Sequence, residues 1–412
     1  MAEQPRMLEG YRVLDFTQFV AGPTCTRILA EMGAEVIKVE PAPDGDRART
    51  FGLRRNSSST YYFPHNHSKR SLAIDTHHPT ATEIFHQLVR KSDVLVENYA
   101  PGVIGRIGLD YETVKRINPR IVMASISMGG QTGPLSSKGG YDFIGQAYAG
   151  VTDLIGEPDR PPAMLSLALG DISTGVTTAM AIGFALLYRT ASGMGQFIDA
   201  SLLDNYFHMH ELAVPVLSLR PDKFQPKRNG RMYQPSAPYG IFYANGGYVM
   251  ICVTPHQWPA VCRAMGMAEL INDPRFKEER LRVRNRDELT EIVEGWLKAQ
   301  PSVEAALEAL DKERVPCAPI LTVQEAMNQP HHRERRTVRR VHDPVMGDFD
   351  IPGMPVKFQN WQDRTDVKAP LLGQDNDAIL RDLLGMRDEE IRALYAQKVL
   401  VKAPEVDQSA TG

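Results

Sequence analysis

The sequence is short of cysteine, and the few cysteines it has are far apart. Its 412 residues contain four, Cys25, Cys252, Cys262 and Cys317, with no C-x-x-C pair. Structural zinc sites and disulfide frameworks both need thiols at close, regular spacing. The pattern therefore indicates unpaired thiols in a reducing compartment, and we expect a cytoplasmic protein without a structural zinc.

Long apolar runs and an excess of one charge are also missing. We find no run of about 18 apolar residues, the length that predicts a membrane-spanning helix. The start, MAEQPRMLEG, lacks the apolar stretch of a secretory signal. The formal net charge is −3, whereas nucleic-acid binding needs a basic surface. We therefore expect neither a membrane nor a nucleic acid as the main partner.

Several common catalytic motifs are absent as well. There is no P-loop, and no G-x-G-x-x-G follows a predicted strand. The serine-hydrolase elbow G-x-S-x-G fails in DISTG, where Asp171 replaces the first glycine, and in SISMG around Ser127. Paired histidines at 65/67 and 208/210 lack carboxylate or thiolate companions at ligand spacing, so we expect no metal site.

The first 130 residues alternate short apolar runs with helical patterns. YRVLDFT, EVIKVE, DVLVEN and RIVMASIS are typical of buried strands, and amphipathic segments separate them. This β-α-β order predicts an α/β fold with a doubly wound, Rossmann-like parallel sheet. Ligands of such sheets bind beyond the carboxyl ends of the strands.

A change in composition divides the chain. Residues 215–240 are rich in proline, glycine and basic side chains, which predicts a linker. Beyond it, GIFYANGGYVMICV predicts a hairpin that turns at Asn245-Gly246. We expect a large domain formed by 1–215 and 326–412, and a smaller α+β domain with its linker at 216–325.

Asp171 lies in LGDISTG, directly before an apolar segment that predicts a helix over 172–190. A carboxylate in this place can cap the helix by accepting hydrogen bonds from its free N–H groups. It can also attack a carbonyl carbon, held ionised by the same donors, with Gly170 leaving room for a substrate. The two interpretations are compatible.

Basic residues gather near the predicted strand ends and loops of the first half. Such side chains can bind the phosphates of a ligand. The set comprises Lys38, Arg47, Arg49, Arg54, Arg55, Lys69, Arg70, Arg106 and Lys138.

A series of ordered motifs resembles the class III coenzyme A transferases, the family of formyl-CoA transferase and the carnitine CoA-transferases. The resemblance covers nearly the whole chain, as far as APLLGQDNDAILRDLLGM near the end. The motifs include RVLDFTQFVAGP, NHSKRSLAID, VENYAPGVIGRIG, SISMGGQTGP, LGDISTG and ASGMGQFIDASLLD.

The resemblance implies a chemistry for Asp171. This residue would attack an acyl-CoA thioester, form an aspartyl mixed anhydride and then an aspartyl-CoA thioester, and pass CoA to a small carboxylic acid. Coenzyme A thioester is then a substrate, and no cofactor is bound permanently. The acid stays open: a dicarboxylic one, with Arg228, Arg231 or His256 as its partner, or an aromatic or branched one. The family also implies an interlocked homodimer.

Carried over motif by motif, the resemblance implies which residues contact CoA. They are Phe19, Val20, Ile74, Asn98, Tyr99, Arg106, Ile107, Lys138 and Tyr141. The chain departs from formyl-CoA transferase where Val20 replaces an active-site glutamine and where Gly139, beside Lys138, replaces a lysine. These departures weigh against oxalate and formyl-CoA as substrates.

Three other activities remain open. The α-methylacyl-CoA racemases share the fold but use a histidine in G-H-D, where this chain has Gly140-Tyr141-Asp142. Tyrosine, with an ordinary pKa of about 10, is a poor base at neutral pH. An acyl-CoA hydrolase would result if water outcompeted the acceptor, and a non-catalytic CoA-binding protein would not need Asp171.

Overall fold

The computed structural model describes residues 6–55, 58–222, 224–361 and 367–409. Strands in the described chain are β1 (Arg12–Phe16), β2 (Glu35–Pro41), β3 (Arg54–Arg55), β4 (Ser58–Ser59), β5 (Arg70–Ile74), β6 (Val94–Glu97), β7 (Val122–Ser127), β8 (Gln196–Ser201), β9 (Tyr239–Ala244), β10 (Gly247–Cys252), β11 (Cys317–Pro319), β12 (Val338–Asp343) and β13 (Gly347–Pro352).

Helices follow the strands in regular alternation through the first half. They are α1 (Ala21–Glu31), α2 (Phe63–Asn66), α3 (Pro79–Arg90), α4 (Tyr111–Ile117), α5 (Asp142–Tyr148), α6 (Leu169–Ser192), α7 (Leu202–His208), α8 (Ala213–Leu219), α9 (Trp258–Ala264), α10 (Glu279–Arg284), α11 (Arg286–Ala299), α12 (Val303–Lys312), α13 (Val323–Asn328), α14 (Pro330–Glu334), α15 (Asn376–Ala378), α16 (Asp388–Ala396) and α17 (Pro404–Ser409). Short 3₁₀ turns lie at Arg47–Thr50, Ile104–Ile107, Thr152–Leu154, Pro255–Gln257 and Ala268–Ile271.

A six-stranded sheet in the order β5-β2-β1-β6-β7-β8 forms the centre of the larger part of the molecule. All of its pairings are parallel, with Leu14 of β1 opposite both Ile37 and Leu95. The predicted α/β class with a central parallel sheet is confirmed. The smaller α+β domain as delimited above and the interlocked dimer stay predictions.

The strands of this sheet bury both of their faces, except β8 at its edge, where Phe197 and Asp199 are exposed. Leu14 and Phe16 of β1 pack on one side in a core that includes Phe85 of α3 and Ile391 of α16. Val13 points to the other side, into a core that α1 and α6 share. Alternate residues of one strand thus serve two cores, which explains why the strands read as continuous apolar runs.

The chain divides into two compact units. The first comprises 1–149, 166–209 and 331–412, and the second 150–165 and 210–330. The second contains the antiparallel sheet β11-β10-β9, and its predicted hairpin at Asn245-Gly246 is confirmed. The segment 150–165, expected in the large domain, groups with the second unit because Gly230 N–H donates to the Gly156 carbonyl (3.0 Å).

Two helices differ from their predicted extents. The charged, apolar-spaced stretch near 376–398 predicts one C-terminal helix. In the structure α15 continues as a π-helical turn over Ile379–Leu383, and Gly385, with a φ of +70°, separates this segment from α16. Helix α6 begins three residues earlier than expected, at Leu169. By length and composition alone α6 also qualifies as a membrane-spanning helix, a property that core helices share, and Ile182 on its inner face is fully buried.

Candidate active site

Asp171 is the third residue of α6 and does not cap that helix. The residue before the helix, Ala168, forms no side-chain cap. Instead the carboxylate of Asp142, the first residue of α5, accepts a hydrogen bond of 3.0 Å from the Asp171 backbone N–H. The expected capping role of Asp171 is therefore wrong, and its own carboxylate is free to meet a ligand.

Close contact between α1 and α6 fixes the position of the N-terminal part of α6. A Cβ on Gly175 would lie 2.6 Å from the Ala21 carbonyl oxygen and 2.8 Å from Thr24 Cβ, so only glycine fits this crossing. The contact brings the N-terminal ends of α1 and α6 side by side. Helix N-termini carry partial positive charge, which favours an anionic group between them.

A cleft of about 90 Å³, open to solvent, contains Asp171 in its wall. We call it the Asp171 cleft. Its other lining residues come from the β1–α1 loop, the ends of β6 and β7, and the starts of α5 and α7. They are Phe19, Val20, Ala21, Asn98, Ile126, Ser127, Met128, Gly140, Tyr141 and Leu202.

The electrostatics of Asp171 are unusual for a surface-facing carboxylate. Burial and, after it, the neighbouring Asp142 charge together raise its pKa to about 7. No hydrogen-bond donor or cation within the described residues lowers the pKa of this group. The carboxylate is thus weakly solvated and more basic than usual, as a reactive carboxylate needs to be.

Asp142 is held by α7 as well as by α6. The Tyr206 hydroxyl lies 2.9 Å from both Asp142 carboxylate oxygens, and Gln146 Nε2 donates to the Tyr206 oxygen at 3.1 Å. A Cβ on Gly170 would lie 2.2 Å from the Tyr206 ring and 2.4 Å from Asp142 Oδ1. Gly170 is therefore required for this contact, which links the three helices around Asp171.

The loop between β1 and α1 is shaped by side chains that lie beneath it. Asn98 exchanges two hydrogen bonds with the Gln18 backbone, at 2.7 and 2.8 Å. Phe19 N–H donates to Asp46 Oδ1 at 3.1 Å, and Phe19 has a φ of +64°. A non-glycine residue in this left-handed region is strained, and such strain is common where a loop positions a binding site.

A second, larger cleft of about 350 Å³ lies beyond the carboxyl ends of β2, β5 and β6. We call it the Arg106 cleft. Gln18 borders it, next to Phe19 in the Asp171 cleft, and Tyr99 borders it next to Asn98. The two clefts are therefore neighbours at two points, because consecutive residues of the chain line one cleft and then the other. Its remaining lining residues are Pro41, Ala42, Asp44, Gly45, Arg47, Thr76, His77, Val103, Arg106 and Ile107.

Comparison with known proteins decides the family. The model of CoA-transferase family III matches residues 8–376. The chain belongs to CoA-transferase family III.

Relatives of this family III chain match along most of its length. It is 32% identical to a succinyl-CoA–D-citramalate CoA-transferase of Chloroflexus aurantiacus, over 96% of this chain and 98% of that one. It is 35% identical to an acetyl-CoA:oxalate CoA-transferase of Acetobacter aceti, over 91% and 95%. A CAIB/BAIF family protein of Brucella suis is 33% identical, with a TM-score of 0.79 over 92% of this chain and 100% of that one.

The structure of the family III chain brings seven of the nine predicted CoA-contacting residues to the two clefts. Phe19, Val20, Asn98 and Tyr141 line the Asp171 cleft. Tyr99, Arg106 and Ile107 line the Arg106 cleft.

The other two predicted residues line neither cleft. Ile74 is fully buried in the core formed with α3, so its side chain does not face a ligand. The Lys138 ammonium lies 5.2 Å from the centre of the Tyr148 ring. Ile74 was carried over from the family motif in NHSKRSLAID, but alternation along β5 turns its side chain inward.

Three of the nine basic residues expected to bind phosphate form buried ion pairs instead. Lys38 pairs with Asp46 at 2.8 Å, Arg49 with Glu40 at 2.7 Å and Lys69 with Asp15 at 2.9 Å. In the second unit Arg228 pairs with Asp153 and Arg231 with Glu294, so neither is a free carboxylate partner. Basic residues near strand ends can therefore stabilise the fold through buried ion pairs.

Sequence reasoning missed Asp142 and Tyr206, which surround the backbone of Asp171. Asp142 was noted only as the last letter of a racemase-like motif. A carboxylate and a tyrosine about 30 residues to either side of Asp171 give no local signal. Only the packing of α5, α6 and α7 brings them together.

Proposed function

We propose that this protein is a CoA-transferase that moves coenzyme A from an acyl-CoA donor to a carboxylic acid, with Asp171 as the nucleophile. The position and electrostatics of Asp171 carry the proposal: a half-buried carboxylate with a pKa of about 7 lines a cleft between two helix N-termini. A carboxylate without stabilising donors is more nucleophilic than a solvated one. The relatives named above are CoA-transferases, in agreement with this role.

The reaction proceeds by alternating anhydrides and thioesters. An Asp171 oxygen attacks the thioester carbonyl, the C–S bond breaks, and CoA thiolate leaves from a mixed anhydride. The thiolate then attacks the aspartyl carbonyl, which releases the donor acid and forms an aspartyl-CoA thioester. The acceptor carboxylate attacks that thioester to give a second anhydride and thiolate. Attack of the thiolate on the acceptor carbonyl forms the new acyl-CoA and frees Asp171.

Within this proposal the Arg106 cleft binds the nucleotide end of CoA. Arg106 and Arg47 place two guanidinium groups in its lining, and His77 adds an imidazole. Guanidinium groups suit phosphate because they donate parallel hydrogen bonds. From there the pantetheine arm passes the Gln18–Phe19 loop to reach Asp171, so the loop clamped by Asn98 and Asp46 forms part of the binding path.

The racemase alternative lacks its second base. Tyr141 takes the place of the histidine, and no histidine lines the Asp171 cleft in the described chain. His65, whose Nδ1 lies 3.2 Å from Thr24 Oγ1 in α1, has its pKa lowered to about 3 by burial and by neighbouring cations, so it is neutral. These observations favour the transferase over the racemase. Hydrolysis through the same anhydride differs from the transfer reaction only in its acceptor, which is water.

We also propose a homodimer, because α6 exposes an apolar stripe. Ile172, Val176, Met180 and Phe184 recur every four residues and are 40–64% exposed. Spacing of four residues places these side chains on one helix face. A second copy of the chain would cover them. Sedimentation at equilibrium tests this, and a monomer at micromolar concentration contradicts it.

Trapping the acyl-enzyme tests the proposed function. The protein is incubated with a panel of acyl-CoA thioesters and hydroxylamine, and its peptides are mapped by mass. An Asp171 hydroxamate is expected, because hydroxylamine cleaves both the anhydride and the aspartyl thioester at the aspartyl carbonyl. Transfer of CoA to an added acid separates transferase from hydrolase. Turnover without any Asp171 modification contradicts the assignment.

A further inference from the structure

The carboxylate of Asp46 is fully buried and bonds to the loops of both clefts. Its Oδ1 accepts two backbone hydrogen bonds, one from Phe19 N–H at 3.1 Å and one from Ala48 N–H at 2.9 Å. Phe19 belongs to the β1–α1 loop and lines the Asp171 cleft. Ala48 belongs to the loop after β2, whose Arg47 lines the Arg106 cleft. One carboxylate oxygen thus joins the wall of one cleft to the wall of the other.

An ion pair holds this carboxylate in place. The Lys38 ammonium lies 2.8 Å from Asp46 Oδ2 and donates to the Thr17 carbonyl, at the start of the β1–α1 loop, at 2.7 Å. Burial alone would lower the pKa of Lys38, but the charges of Asp46, Asp15 and Glu40 outweigh burial and raise it, so the ammonium stays charged. Both members of the pair are closed off inside one chain, so a second copy covering α6 does not touch them.

The backbone conformation of Phe19 needs such support. Its φ of +64° lies in the left-handed region, which residues other than glycine rarely adopt. Val20 and Ala21 follow it directly and line the same cleft. Without the Asp46 acceptor, Phe19 can relax to an ordinary conformation, and the residues after it move with it. Strain that is held in place by surrounding contacts is common where a loop positions a reacting group.

We propose that Asp46 is a positioning residue that sets the spacing between the two clefts, and thereby brings the thioester carbon of an anchored acyl-CoA to Asp171. The inference rests on the proposed function, which places the nucleotide end of CoA in the Arg106 cleft. A donor anchored at that end reaches the nucleophile only if the spacing of the two loops matches the length of its pantetheine arm. With altered spacing the donor still binds, but its carbonyl is misplaced and kcat falls.

Donors with and without the nucleotide test this role. Acetyl-CoA, succinyl-CoA and the matching S-acylpantetheines are incubated with the full chain and hydroxylamine at concentrations far below KM, and the initial rate of Asp171 hydroxamate formation is measured. The rate with acyl-CoA divided by the rate with its acylpantetheine is the anchoring ratio. We expect an anchoring ratio of about 10 or more in the wild type, because the truncated donor loses the contacts of the nucleotide.

Substitution of Asp46 should change this ratio. Asp46→Ala removes the acceptor, and we expect it to lower the anchoring ratio about tenfold through kcat for acyl-CoA, because an acylpantetheine is not anchored and can adjust its position. Asp46→Asn keeps an acceptor oxygen and should restore most of the ratio. Glu31→Gln is the matched control, since it neutralises a buried carboxylate that pairs with Arg27 at 2.6 Å and Arg339 at 3.0 Å but lines neither cleft. Its anchoring ratio should equal that of the wild type.

The outcomes separate the positioning role from a structural one and from the proposed function. A ratio that falls in Asp46→Ala but not in Glu31→Gln supports the positioning role. Equal slowing of both kinds of donor in Asp46→Ala shows a structural role and overturns the inference, as does an anchoring ratio of 1 in the wild type. No modification of Asp171 by any of the four donors overturns the proposed function, and this inference with it.

A second pair of variants covers the case in which Asp46→Ala does not fold, since it leaves the Lys38 charge buried without its partner. Lys38→Met combined with Asp46→Ala removes both charges. Lys38→Met combined with Asp46→Asn removes the same charges but keeps the oxygen that accepts from Phe19 and Ala48. We expect the anchoring ratio to be about tenfold lower in the first double variant than in the second. Equal ratios in the two overturn the role of Asp46.

Discussion

Two carboxylates in the same unit, one buried and one half-buried, have pKa values shifted in opposite directions. Asp15, in β1, is fully buried and pairs with Lys69 at 2.9 Å while accepting a hydrogen bond from Thr26 Oγ1 at 2.6 Å. Burial alone would raise its pKa, but the Lys69 and Lys38 charges outweigh burial and lower it to about 2. Asp171 has no such partner, and burial raises its pKa to about 7.

The difference lies in what surrounds each carboxylate. Asp15 belongs to an ion network beneath the β1–α1 loop, where Lys38 also donates to the Thr17 carbonyl at 2.7 Å. Asp171 faces an apolar cleft and the like charge of Asp142. A paired carboxylate holds the fold together, whereas an uncompensated one keeps its reactivity. The four predictions that follow test this contrast.

Replacing the reactive carboxylate should have the largest effect. We expect Asp171→Asn to reduce CoA transfer by at least about 1,000-fold, because the nucleophile is lost. The folded-state pKa of about 7 lies above the ordinary 3.8, so ionised Asp171 costs folding free energy as the pH rises between these values. Urea unfolding at pH 8 should therefore find the variant at least as stable as the wild type. Loss of stability would mean that Asp171 is structural.

Breaking the paired carboxylate should instead affect stability. Lys69→Met leaves Asp15 buried without its cation, and we expect a loss of about 3–5 kcal/mol in the free energy of unfolding. Urea denaturation measures this free energy of unfolding. Lys138→Met, an exposed lysine, is the matched control and should change stability by less than about 0.5 kcal/mol. Similar values for the two variants would refute the structural role of the network.

The pH dependence of acylation should report on Asp142. Asp171 must be ionised to attack, so the rate should rise with pH up to an inflection near its pKa of about 7. Asp142→Asn removes the neighbouring negative charge, which should lower the inflection by about one pH unit. Asp204→Asn, an exposed carboxylate of α7, is the control and should leave it in place. If the inflection of the pH–rate profile does not move in Asp142→Asn, charge coupling between Asp142 and Asp171 is excluded.

The smallest effect is expected in the Arg106 cleft. Arg106→Gln should raise the KM for acyl-CoA by about tenfold, with kcat changed by less than about twofold, since a phosphate contact far from the reacting atoms contributes equally to ground and transition states. Arg116→Gln, on the exposed face of α4, serves as the control. A fall in kcat with unchanged KM would show that Arg106 acts at the chemical step.

The central sheet was predictable because its signals are local. Each buried strand is a continuous apolar run, and the intervening helices follow from amphipathic spacing. The hairpin at Asn245-Gly246 was equally predictable, since a left-handed turn needs a residue such as glycine, and Gly246 has a φ of +86°. The break at Gly385 was missed because apolar spacing continues across it.

The sequence alone determined the α/β class, the position of Asp171 near the start of a long helix, and the motifs that carry the family. Each of these three features follows from residues that are close together in the sequence. Tertiary structure alone decided that Asp142 caps α6, that Lys38, Arg49 and Lys69 are buried in ion pairs, and that Ile74 faces the core. These outcomes depend on which side chains, distant in the sequence, meet in the folded chain. The burial of an ionisable group and the charge of its neighbours then set its protonation and reactivity.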